Sequence, residues 1–240
     1  MKTMKAMIIA CVSIIVLLSS CRIETAKELG PVKTANINVQ SFDAIHLSCA
    51  ADVVFHVSDT FNVSIEAPEK LIESYQIESD GKRLSIREKN RDEGKMVLDM
   101  GKLSDEHQVT VHVYAPRLTA ISVTGSGEVT CSDTIHAEKF TGSVTGSGDI
   151  DCKVVKADKL SLEVTGSGDI ELHETEAVNS TALVTGSGDI KVHFISGNTA
   201  SATVTGSGDI TFSGSLSQVS KAVTGSGSIN INTDKLTTTK

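Results

Sequence analysis

The chain has 240 residues, of which 39% are hydrophobic but only 3% aromatic, with 19 Gly against 3 Pro and no Trp. That composition excludes a core built on bulky aromatic anchors and calls for an interior of small and β-branched side chains. The formal net charge of -8 excludes a basic phosphate-binding face, so no nucleic acid is expected as a partner.

Residues 1–20 read as a signal peptide, with Lys2 and Lys5 near the start and an apolar run from Ala6 to Leu18. The run is shorter than the roughly 20 residues that span a bilayer. It ends in Leu18-Ser19-Ser20-Cys21, which resembles a bacterial lipobox and predicts cleavage before Cys21 and acylation of that residue. An ordinary secretory signal with an incidental Cys is the alternative. Arg22 rather than Asp follows the Cys, which by the sorting rule of enteric lipoproteins directs the protein to the outer membrane. Cleavage removes two basic residues and no acidic one, so the mature chain is more acidic still and is repelled by anionic lipid. Residues 21–35 then form a tether. Three cysteines, Cys49, Cys131 and Cys152, remain for the folded part in an oxidising compartment.

From 36 to 115 the chain is β-rich but irregular. Strand-like runs cover Phe61–Glu66, Tyr75–Glu78, Arg83–Glu88 and Gln108–Tyr114, Asp80-Gly81 predicts a hairpin turn, and Pro68–Glu73 a helical turn. Lys89–His107 is charged and predicts a loop. The stretch Phe42-Asp43-Ala44-Ile45-His46-Leu47 matches Leu118-Thr119-Ala120-Ile121-Ser122-Val123, and Ser48–Val53 then stands where later copies have Thr-Gly-Ser-Gly-Asp-Ile. This predicts a divergent first repeat.

Residues 116–240 carry six copies of Val-Thr-Gly-Ser-Gly, starting at Val123, Val144, Val164, Val184, Val204 and Val223, at intervals of 21, 20, 20, 20 and 19. After each phrase the residues alternate: Ile150, Cys152 and Val154 on one side, Asp149, Asp151 and Lys153 on the other. Before it, Phe140, Leu160, Ser180, Ala200 and Val219 align, and Lys221 breaks the neighbouring row of Gly142, Leu162, Ala182 and Ala202, where the interior is expected to open. Constant glycines every 20 residues and abundant Val and Thr disfavour helix. The prediction is an all-β fold: a single-stranded parallel β-helix, right-handed by the crossover rule, with coils of about 20 residues stacked about 4.8 Å apart. The corner glycines are Gly125, Gly127, Gly146, Gly148, Gly166, Gly168, Gly186, Gly188, Gly206, Gly208, Gly225 and Gly227.

Taken together, the lipobox, the Phe42–Ser48 stretch, Tyr114-Ala115-Pro116-Arg117-Leu118 and the recurrent Gly-Ser-Gly-Asp-Ile resemble the auto-transporter adhesin head GIN domain family of Bacteroidetes over roughly residues 36–235. The Gly-Ile-Asn element is met loosely at Gly227-Ser228-Ile229-Asn230. The resemblance implies a β-helical, surface-related protein, and it brings no catalytic residues with it.

Chemistry read from the residues is sparse. The Gly-Ser-Gly serines lack the spacing of a nucleophile elbow, and the glycine corners lack the helix and Lys of a phosphate loop. Asp149, Asp169, Asp189 and Asp209 form an outer ladder headed by Glu128. Carboxylates at that spacing repel by about 0.9 kcal/mol even in water, so either corner N–H groups or bridging Ca²⁺ must offset them. His173 and His193 share an outward position and offer Zn²⁺ two donors, although Lys191 stands beside them and solvated histidines are the commoner case. Thr124 and its five equivalents make a Thr row of the kind that stabilises ladders, and the repeats present no aromatic platform for sugars. Cys131 and Cys152 stack inward, where two free thiols are expected rather than a disulfide. The leading functional expectation is a non-enzymatic, lipid-anchored protein on the cell surface or the periplasmic face. It would contact an unknown host or envelope ligand, protein or glycan. The alternatives are a lyase-like polysaccharide enzyme and an envelope-stress sensor or scaffold.

Overall fold

Period-two alternation and glycine corners shape nearly every element of this computed structural model, which describes residues 29–89, 109–233 and 237–238. The expected signal peptide, Cys21, the beginning of the tether and all of the charged loop but Lys89 lie outside the described residues.

The repeats form a parallel β-solenoid. Each copy contributes one strand that winds around a coil: β9 (Glu128–Gly146), β10 (Asp149–Gly166), β11 (Ile170–Gly186), β12 (Ile190–Gly206) and β13 (Asp209–Gly225), followed by the shorter β14 (Ser228–Thr233) and β15 (Thr237–Thr238). Here β1 to β8 denote the preceding strands Val32–Ile37, Ala44–Leu47, Asp52–Val57, Asn62–Pro68, Tyr75–Ser79, Arg83–Glu88, Thr110–Ala115 and Ala120–Val123, and α1 is the single turn Glu69–Ile72. Equivalent residues pair in register, for example Ile150 with Ile170 and Leu162 with Ala182. Inward positions form ladders of buried side chains, including Val144, Val164, Val184 and Val204, all fully enclosed. A buried aliphatic side chain contributes roughly 1.5–3 kcal/mol, and the stack repeats this contribution coil after coil. Bulk is supplied where a row has room: Phe194 packs edge-on against Phe212 with centroids 5.5 Å apart.

Two intervals depart from 20 residues, and both departures sit at the same corner. Opposite β10, β9 places Ser132 and Asp133 where β10 has only Lys153, which accounts for the interval of 21. Likewise β12 has Ile195 and Ser196 where β13 has only Ser215, giving 19. This bend also corrects one expectation. Alternation puts Val154 inward, but the chain skips a position there, so Val155 is the buried residue and Val154 is half-exposed.

The divergent repeat is a true coil. Ala44–Leu47 pairs in parallel with Ala120–Val123, and Val53–Phe55 with Val129–Cys131, in the register the sequence match indicates. It is first in sequence but second in the stack. Beyond it lies another coil that carries no Gly-Ser-Gly, formed by β6 against β2 and β7 against β3. Antiparallel strands then cover the end: β4 on β7, β1 on β4, and β5 on β6 through the Asp80-Gly81 turn, where Gly81 has φ +90°. They cover the parallel edge of the end coil with antiparallel pairs. A single buried core runs from Phe42 to Ile229 across position 115. At the opposite end the interior opens: Lys221 is exposed, and Val223 is 44% exposed where its five equivalents are buried.

Candidate functional site

The Gly-Ser-Gly corner is set by two separate constraints. The first glycine adopts a left-handed φ, between 123° and 129°, at Gly146, Gly166, Gly186, Gly206 and Gly225, which L residues rarely tolerate. At the second glycine φ is ordinary, but the coils approach too closely for a side chain. A Cβ on Gly168 would overlap the Gly148 carbonyl oxygen and sit 2.8 Å from Val144 Cγ1. That closeness brings the amides into line: Ser167 and Gly168 both donate to the Gly146 carbonyl, at 2.8 and 3.1 Å, and the pattern recurs at the later corners.

The aspartates follow directly. Asp149 Oδ1 accepts the Asp169 N–H at 2.9 Å, Asp169 Oδ1 that of Asp189 at 2.8 Å, and Asp189 Oδ1 that of Asp209 at 2.8 Å. Asp209 closes the series by accepting both the N–H and the O–H of Ser228. Each carboxylate thus satisfies an amide of the next coil. On the first rung, where Glu128 stands, the Asp149 N–H goes to the Gly127 carbonyl instead.

The histidines do not form the pair that their common position implies. His173, which lies within the Leu172–Thr175 irregularity of β11 against β12, reaches the preceding coil, where Nε2 lies 3.0 and 3.2 Å from the two Asp151 oxygens, while Nδ1 is 3.8 Å from Glu171 of its own strand. His193 turns the other way and bonds Ser213 Oγ through Nδ1 at 2.9 Å. The metal-capable group is therefore Asp151, Glu171 and His173, whose donor atoms lie within 4.8 Å of one another. The bond to Asp151 raises the His173 pKa above its ordinary value; slight burial opposes this, and the Asp151 and Glu171 charges add to it.

Cys131 and Cys152 are register partners, both buried, and like Cys49 they are thiols outside any disulfide. The contact with Cys131, and then burial, push the Cys152 thiol well above its usual range. Such thiols are packing groups rather than nucleophiles.

One feature escaped the sequence reading. A groove of about 830 Å³ runs across the coils β9 to β13. Ala137, Ala157, Ala177 and Gly197 line its middle, with His136, Lys156, Glu176 and Ser196 on one side and Glu138, Asp158, Val178 and Asn198 on the other. Lys156 and Glu176 pair across neighbouring coils at 2.8 Å. Its signal was the row of small residues at constant spacing, which alternation alone does not separate from core.

Two comparisons with known proteins bear on this geometry. Residues 41–177 and 173–239 match the family described as "putative auto-transporter adhesin, head GIN domain", and the chain belongs to that family. Its fold is also that of solved structures. A putative adhesin of Bacteroides fragilis matches with a TM-score of 0.65 at 20% identity, over 83% of this chain and 96% of that one. A putative lipid binding protein of Parabacteroides distasonis gives 0.60 at 21%, over 84% and 97%. A putative adhesin of the same organism gives 0.56 at 19%, again over 84% and 97%. No curated protein matches. Among the described residues no helix is long and apolar enough to cross a membrane.

Proposed function

We propose that this protein is a non-enzymatic, lipid-anchored component of the cell envelope that holds an extended ligand against the side of its solenoid. The observation that carries the reading is the groove, which crosses five successive coils and sets a different pair of wall side chains around a floor of small residues on coils β9 to β12. Such a surface suits an extended ligand lying along the solenoid axis, met at each coil by that coil's own side chains. The wall groups other than the half-buried Lys156 are exposed, Lys156 and Glu176 already neutralise each other, and among the described residues no nucleophile stands beside a base there. This supports binding rather than turnover. The family's adhesin description agrees with a role in surface contact.

Protease treatment of intact cells tests the location: cleavage of the folded part without lysis is expected, and complete protection until lysis would remove the adhesion reading. Binding of the purified protein to host-matrix proteins and envelope glycans tests the surface. Asp158→Lys and Asn198→Lys together should weaken retention, since both stand on the exposed wall. Release of an unsaturated product from any acidic polysaccharide would instead establish an enzyme.

A further inference from the structure

We propose that Asp151, Glu171 and His173 form a binding site for a divalent first-row transition ion, of which Zn²⁺ is the natural probe. Asp151 and Glu171 are register partners on β10 and β11, and His173 follows Glu171 by two, beyond the buried Leu172. Strand alternation therefore brings all three out on one face. Two donors on one ion, with bonds of 2.0–2.1 Å, are separated by about 2.9 Å at a right angle and about 3.3 Å at a tetrahedral one. The Nε2–Asp151 oxygen distances of 3.0 and 3.2 Å fall in that interval, while Glu171, 3.8 Å from the other ring nitrogen, joins the set by a side-chain rotation that exposed groups can make.

The carboxylates are available. Among the described residues the Asp151 carboxylate bonds only His173, and the charged partner of Glu171 is the same imidazole at 3.8 Å. Lys191, the register partner of Glu171, makes no ion pair with it among the described residues. Entry is open, since the side chains of Asp151, Glu171 and His173 are 37%, 45% and 46% exposed. Water can then complete the coordination.

The donor set also chooses the ion. Ca²⁺ and Mg²⁺ take oxygen ligands, whereas an imidazole beside two carboxylates suits zinc and its neighbours. Other coils break the combination: the residues equivalent to Glu171 and His173 are Lys191 and His193 in β12, and Thr211 and Ser213 in β13. The site is thus peculiar to one pair of coils, and a bound ion would fasten β10 to β11. It is independent of the adhesion reading, because it uses neither the groove nor the protein's place on the cell.

The test is calorimetric titration of the chelator-treated full chain with Zn²⁺, alongside thermal unfolding. One saturable ion per chain is expected, with a rise in Tm that follows occupancy. His173→Asn and Asp151→Asn should each weaken binding by about tenfold or more, whereas His193→Asn should leave it unchanged. All three side chains are exposed, so the folded state is expected to survive, and circular dichroism verifies it. Absence of saturable Zn²⁺ binding would overturn the assignment, as would equal affinity in His173→Asn or equal loss in His193→Asn.

Discussion

Replacing Asp169 by Asn and by Ala separates the two forces acting on the aspartate ladder. Asp169 is flanked by Asp149 and Asp189, one coil away on either side. At a spacing of about 4.8 Å each neighbour repels it by about 0.9 kcal/mol in water, roughly halved by physiological salt. Both substitutions delete that charge, so both relieve about 1.7 kcal/mol at low salt and about 1 kcal/mol at 0.15 M. Only Asn keeps an oxygen where Asp169 Oδ1 accepts the Asp189 N–H at 2.8 Å. The difference between the variants therefore isolates the hydrogen bond, and Ala should be less stable than Asn by about 1 kcal/mol. Added salt should stabilise the parent relative to Asn by about 0.7 kcal/mol as the repulsion is screened. The assay is urea unfolding with unchanged m-values, at two ionic strengths. If Asn and Ala unfold at the same midpoint, the acceptor role is wrong. If millimolar Ca²⁺ raises the parent's Tm and the Asn variant does not respond, cation bridging holds the ladder instead.

Gly168→Ala should cost about 3 kcal/mol or more, because its Cβ meets backbone that cannot give way, while Ser167→Ala, on the exposed tip, should stay within about 0.5 kcal/mol; near-equal midpoints would refute the close-approach argument. The His173 imidazole, followed by NMR in metal-free protein, should titrate above the ordinary value of about 6.5 and shift down in Asp151→Asn. Since its folded pKa is raised, its contribution to stability is complete below about pH 6.5 and disappears as pH rises through the folded value; the group is exposed, so the effect is small. Cys21→Ala should release the protein from membranes, with fractionation after a high-salt wash as the check; retention would reveal an additional membrane-contacting surface.

What the sequence made legible follows from where identity repeats. The solenoid and its register were readable because Gly-Ser-Gly is fixed by backbone: a positive φ at Gly166 and a carbonyl against Gly168 leave no other residue. The divergent repeat, with Cys49 and Ala51 in place of those glycines, was readable through the match of Phe42–Leu47 to Leu118–Val123. The coil of β6 and β7 was not, since it has no such corner and the stretch 90–108 interrupts its period. Val154 and Val155 were exchanged for a related reason. At the other corner the coils differ by one residue, with Ser132 and Asp133 answered by Lys153, and no constant residue marks the bend.

The same contrast locates the chemistry. The glycine corner has no room to vary: any side chain on its second glycine collides with the coil below, and its aspartates are committed to neighbouring amides. The second corner has that room. There His173 reaches Asp151, while His193 at the equivalent place turns to Ser213, and the groove begins just past this corner at Lys156, Glu176 and Ser196. A stack whose register is held along one edge can accept insertions, deletions and charge changes along another without losing the fold. The motif that makes this protein recognisable is thus the part least free to bind anything. Specificity has to lie in the residues that do not repeat.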